Sequence, residues 1–319
     1  MKTSFSPAAV LLLAVFCLNI SPAHAALIAR AFVSRAGVDA AGCGKSASPC
    51  RTFQYAVTNI IQDGGEIDVM NAAEYGPVAI PKGVSIVNDG AGVATITVAS
   101  GGTGITVNAG PNAKIFLKGL TIEGFGVGTT GIQFNSGVEL SLENSSVHGF
   151  SGFGVKFTPS AGHDDLTITD SRVSYALGGS VFIRPTSGAG VQSTLKGSTF
   201  DGSNGSTSAV TLDGSGGPTG YASSIISNCV IRDMHNGVLV LAQPSDGFVD
   251  VTVDRSVVAH TDNALVATGS RASIFLNSSL ISHSASVANG TAGGSVYTFG
   301  NNGITIYGAL GTLIPFALH

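Results

Sequence analysis

The chain has no tryptophan, only three methionines among its 319 residues, and charged side chains at just 11% of positions. With a formal net charge of −4 it lacks the basic footprint needed to displace counterions from phosphates, which excludes nucleic acid as a partner. The shortage of charge does not signal disorder, because 44% of residues are hydrophobic and self-repulsion is weak. Runs of Ala, Leu, Glu and Lys are scarce, which argues against a helical bundle or coiled coil. Glycine is what the chain has in quantity. Its 44 residues are about twice the usual share, and they come with much Ser, Thr, Val and Asn. That is the composition of an all-β chain with many tight turns.

Beyond its N-terminus the chain has no apolar stretch approaching the ~20 residues that cross a bilayer. Lys2, the apolar run Ala8 to Leu18 and the small-residue site Ala23-His24-Ala25 form the pattern of a secretory leader. The expectation is cleavage after Ala25, and a secreted or periplasmic protein with no membrane span in the mature chain. Phe16 precedes Cys17 where a lipid attachment signal wants a small residue, so lipidation is not expected. Cys43 and Cys50 flank the loop Gly44 to Pro49, and in an oxidising compartment they are expected to form a disulfide. The rival, a metal half-site, lacks a second pair of ligands.

A repeat accounts for most of the chain. An apolar residue stands at Leu117, Leu142, Ile168, Leu195, Ile226, Val253, Leu276 and Phe299, at spacings of 23 to 31 residues. Five positions later another stands at Ile122, Val147, Val173, Phe200, Ile231, Val258, Ile281 and Ile304. Between them lie Gly119, Asn144, Asp170, Gly197, Asn228, Arg255, Ser278 and Asn301, seven of which suit tight turns. The next residue is Ser in five copies and Cys229 in a sixth, which reads as a buried, inert thiol in a serine's place. Each repeat continues into an alternating segment such as Gly131-Ile132-Gln133-Phe134 or Gly154-Val155-Lys156-Phe157. Units of about 25 residues with three short strands cannot bury their own apolar faces, so they must stack on their neighbours in parallel.

The apolar–x–Asn–x–x–apolar repeat followed by Gly–apolar–x–apolar resembles right-handed parallel β-helices of the pectin-lyase-like superfamily, over about Ile86 to Ile304. The opening resembles secreted members too, through Phe32-Val33-Ser34, Pro49-Cys50-Arg51-Thr52-Phe53 and Gly65-Glu66-Ile67-Asp68-Val69. The resemblance implies a capping helix after Thr52. Phe53, Ala56, Val57, Ile60 and Ile61 mark one helical face of their own accord, with Gly64-Gly65 as the stop. The expected organisation is a leader over 1–25, and a segment with disulfide loop and capping helix over 26–65. A β-helix of about ten coils over 66–306 follows, then a C-terminal cap over 307–319.

This fold hosts enzymes and binding proteins alike, so function must come from a site. Enzymes that resemble it work on the outer face of the Gly–apolar–x–apolar wall, which here carries Lys156, Arg184 and Asp213 on successive coils. A basic residue there can take a proton beside a uronate carboxylate while a second cation neutralises that carboxylate. The bland reading is a set of solvated surface charges. A second constellation, Asp233, His235, His260, Asp262 and His283, gathers in one turn region and offers metal ligands or an acid–base pair. The same column holds Gly124, Gly149 and Gly202, so these residues also read as turn formers, and no metal or other cofactor is expected. The motif sets of polygalacturonases and pectate lyases are missing. The expectation is a non-catalytic wall presented to a polysaccharide or cell-surface glycan. The alternative is a polysaccharide lyase or glycoside hydrolase.

Overall fold

The computed structural model describes residues 27–186, 188–202, 206–217 and 220–316, so the expected leader lies outside the described residues. The chain is an all-β parallel solenoid of about eight regular turns, where about ten were expected. One wall is a twelve-stranded parallel sheet running from Ile28–Val33 to Ile314–Pro315. The other two walls merge into a fourteen-stranded sheet. They merge because strands such as Leu120–Ser136 and Ser146–Phe157 bend round the corner unbroken. The count falls short of ten because the early coils are irregular. After Val84–Val87 the chain takes a loop to Ala94 where later coils use one tight-turn residue. Asn88 holds that loop by donating to the carbonyls of Gly92 and Gly119.

The repeat columns are the ladder registers. Leu117, Leu142, Ile168, Leu195, Ile226, Val253 and Leu276 pair in succession along the first wall. All eight members from Ile122 to Ile304 pair along the second. The last member of the first column slips: Leu276 pairs with Thr298 and not with Phe299. The short turn Gly293-Gly294 brings the strand in one residue early, and the Phe299 ring packs on Phe316 at 5.3 Å. The apolar rows fill the interior, and Phe134 and Phe157 stack there at 4.3 Å. Burying each such Val, Ile, Leu or Phe contributes about 1.5–3 kcal/mol, which only stacked coils can collect.

The tight turn is left-handed in each of the seven copies from Gly119 to Ser278, with φ between +44° and +70°. That conformation explains the Gly, Asn and Asp of the column and makes Arg255, at φ +44°, its least comfortable member. Behind the turn, serines form an internal ladder. The Ser145 amide donates to Ser171 Oγ, the Ser171 amide to Ser198 Oγ, and the Ser256 amide to Ser279 Oγ. Cys229 occupies the same slot, 1% exposed, its Sγ 3.3 Å from the carbonyl oxygens of Leu195 and Ser227. Burial pushes its thiol up to about 11.

At the N-terminal end Cys43 and Cys50 are disulfide-bonded. A short helix spans Phe53 to Ile60, opening as α and widening into a π turn. Thr52 caps it, its Oγ1 accepting from the Tyr55 amide at 3.2 Å while donating to Asp39 at 2.8 Å. Phe53, Ala56, Val57 and Ile60 are buried against the first coil, and Phe53 stacks on Tyr75 at 4.9 Å. Ile61 is extended and already begins the next strand, so the helical face is one residue shorter than the apolar spacing suggested.

Candidate functional site

On the third wall, inward residues alternate with an outward row that runs Gln133, Lys156, Phe182, Thr211, Leu239 and Val266 in register. The outward position two residues on carries Arg184 and then Asp213. Arg184 and Asp213 lie side by side, nitrogen to oxygen 3.9 Å, with Asp213 buried and Arg184 half-buried. Asp213 also accepts from the Ser215 amide at 2.9 Å, which fixes its carboxylate against the following turn. Lys156 is not beside Arg184. Its direct neighbour is Phe182, and the two-residue offset puts the Lys156 and Arg184 Cα atoms about 8 Å apart by strand geometry.

Aromatic rings fill the interval. Phe153 and Phe182 pack at 4.8 Å, the Lys156 ammonium lies 6.0 Å from the Phe153 ring centre, and the Arg184 guanidinium lies 5.6 Å from that of Phe182. The patch is therefore two cations flanking a two-ring platform, a pairing of carboxylate recognition with a flat apolar surface. Sequence reasoning placed Phe182 outward but missed Phe153. Phe153 pairs with Thr130 in the register, and simple alternation from Val155 would turn it inward; the consecutive buried residues Gly154 and Val155 break that alternation.

The second constellation occupies the corner between the second and third walls. Asp233, His260 and His283 are all left-handed, at φ +59°, +52° and +52°, as a turn-forming column requires. His260 and His283 stack at 5.1 Å on adjacent coils. His235 Nδ1 lies 2.7 Å from Asp262 Oδ2, both side chains well exposed, and Asp233 faces Arg232 at 3.8 Å. The five residues thus form two separate pairs, with Asp233 turned to Arg232. Among the described residues, no group of three or more His, Cys, Asp or Glu side chains is placed to hold a metal ion.

Two features escaped sequence reasoning. Asp201, 2% exposed, receives Arg172 at 2.6 Å and Arg232 at 3.1 Å from the coils on either side. Asp164 sits on an inner row in register with Val191, Ala222, Val249 and Ala272. Its carboxyl is raised from 3.8 to about 6, first by burial and then by the charge of Asp165.

No protein-family model matches the sequence, nor does any curated protein. Among solved structures, the chain is similar to the crystal structure of pectate lyase Pel9A, at 12% identity and a TM-score of 0.58. That match covers 92% of this chain and 79% of the other. A rhamnogalacturonan lyase matches more loosely, at 14% identity and a TM-score of 0.45, over 84% of this chain and 75% of that one. At such identity the likeness to the pectate lyase is one of fold: this chain is a parallel β-helix. Among the described residues, no helix is long and apolar enough to cross a membrane.

Proposed function

We propose that this protein is exported and engages an acidic, uronate-containing polysaccharide on its third wall, with β-elimination as the chemistry performed there. The carrying observation is the platform of Phe153 and Phe182 with Lys156 and Arg184 at its edges. Ring faces suit the apolar face of a sugar, and the cations suit its carboxylate. The fold shared with a pectate lyase and the Cys43–Cys50 disulfide support the same reading. In the elimination, Arg184 pairs with the uronate carboxylate and stabilises the charge that builds on it. The Lys156 amine takes the neighbouring C5 proton, the C–H electrons form a C4–C5 double bond, the C4–O bond breaks, and the departing oxygen takes a proton from water.

Binding without cleavage is the second reading. The observation that favours it is Asp213, which stands 3.9 Å from Arg184 and offsets part of its charge. One experiment separates them. The purified protein is incubated with polygalacturonate, alginate and neutral glycans, with and without added divalent cations, while near-ultraviolet absorbance and binding are followed. Unsaturated product that disappears in Lys156→Ala and Arg184→Ala supports elimination. Binding that weakens in both variants without product supports the second reading. No retention of any polyuronate refutes both.

A further inference from the structure

A separate cleft of about 530 Å³ opens at the corner between the second and third walls, lined by Gly126, His148, Gly149, Phe150, Tyr175 and Leu177. It spans three successive coils. Phe150 is its floor, fully buried, its ring in the space that side chains at Gly124, Gly128 and Gly131 would fill. A Cβ at any of these glycines would come within 2.7 to 3.1 Å of that ring, so the floor cannot easily shift. His148 is a wall. Its Nδ1 is 2.9 Å from Ser174 Oγ, and its ring meets Tyr175 edge-on at 5.0 Å.

The rim is costly to build. Phe125 and Tyr175 take φ of +50° and +52°, a region that bulky side chains rarely enter, and both rings are exposed, at 67% and 43%. Gly149, one coil before Tyr175 in the same corner column, has the relaxed solution at φ +75°. The turns on either side of Gly149 therefore hold large rings outward where glycine would be easier. No Asp, Glu, Lys or Arg is among the lining residues, whose polar edges are an imidazole and a phenol; the Glu123 carboxylate beside Gly149 is engaged by the Phe125 amide at 3.0 Å. The exposed Tyr175 ring, the exposed Leu177 beside it and a few hydrogen-bonding groups, held over the buried Phe150, are complementary to a ring with C–H groups on its faces and hydroxyls round its rim.

We infer that this corner cleft is a binding site for an uncharged pyranose unit of a glycan, stacked on Tyr175 and hydrogen-bonded by His148. It shares with the function proposed above only the premise that the ligand is a glycan, because the charged platform and the cleft use different residues. The platform lies on two of the three coils that line the cleft, and Ser151-Gly152 leads from Phe150 to Phe153, so one branched or mixed polymer can reach both. A neutral sugar in the cleft would then select polymers in which uronate and neutral residues occur together.

The test is calorimetric titration of the full-length protein with neutral hexasaccharides (cellohexaose, xylohexaose and mannohexaose) and, separately, with a galacturonate hexamer. At least one neutral probe is expected to bind, about tenfold or more weaker in Tyr175→Gly. Glycine is at ease at this φ, so that variant removes the ring without straining the turn. Tyr175→Phe should keep most of the affinity, and Lys156→Ala should keep all of it. No binding by any neutral probe overturns the cleft even if the galacturonate hexamer binds. Neutral binding that is lost in Lys156→Ala but kept in Tyr175→Gly assigns the sugar to the third wall and overturns it equally. An apolar dye that occupies the cleft and is not displaced by any sugar would mark a hydrophobic partner instead, against the inference.

Discussion

Replacing Asp164 by asparagine should stabilise the protein at neutral pH and leave it nearly unchanged near pH 4. Asp164 is 2% exposed and faces inward, with Val191 as its register neighbour and no hydrogen-bond partner for Oδ2 among the described residues. The titratable groups flanking it in sequence, His163 and Asp165, both point outward. Burial raises its carboxyl from 3.8 to about 6, so the folded state holds this proton more tightly than the unfolded chain does. Between those two values the folded form binds more protons, and stability falls as pH rises through about 6. At about 1.4 kcal/mol for each tenfold change in proton affinity, the whole loss is about 3 kcal/mol above pH 7. Asparagine keeps the shape and abolishes the ionisation. It should recover about 2–3 kcal/mol at neutral pH, the remainder offset by an amide buried without a partner. Urea unfolding of both proteins, in steps from about pH 4 to 8, measures this, since carboxylates that do not interact with Asp164 cancel in the difference and only its neighbour Asp165 is coupled to it. A difference that does not grow with pH, or a variant weaker than the parent at neutral pH, would refute the reasoning.

The tight-turn column predicts that Arg255→Asn, which restores the residue used by other copies at a left-handed position, raises stability by up to about 1 kcal/mol, read as a higher Tm. A lower Tm would mean that the Arg255–Asp254 pair outweighs backbone strain. Cys229 should ignore thiol reagents at mildly alkaline pH until the protein is unfolded, because its thiol is buried and raised to about 11. Cys229→Ser should cost no more than about 1 kcal/mol, since the slot already hydrogen-bonds serine in neighbouring coils. Replacing both Cys43 and Cys50 with alanine removes a short loop closure and should lower stability by about 2.5 kcal/mol, measured by denaturant unfolding.

The inward rows were legible because a stacked coil must place like residues over like, and spacing alone finds them. The left-handed turn was legible for the same reason: Gly, Asn and Asp collect where φ is positive. Phe299 was misread because the last coil has a shorter entry turn, which spacing does not reveal. Asp164 could have been found by counting back in twos from Ile168, but its charge argues for the surface, and only the register overrides that. The cleft at Tyr175 and the platform at Phe153 join residues from different coils round a bend. Sequence periodicity says which strand a residue is on, not how the corner aims its side chain. The five corner residues from Asp233 to His283 stand on neighbouring coils, yet adjacency in a column gives only the separate contacts His260–His283 and His235–Asp262.

The unbroken rows give the molecule a modular inheritance. A copy of the stretch 254–276 could be excised from the gene so that Asn277 follows Val253, and each remaining side chain would still find its kind above and below. Duplicating that stretch would lengthen the wall by about 4.8 Å and disturb no other coil. The platform and the aromatic cleft share two coils, whereas the histidine corner belongs to others further along. Selection can therefore lengthen, shorten or re-equip one part of this surface while the rest keeps its ligand.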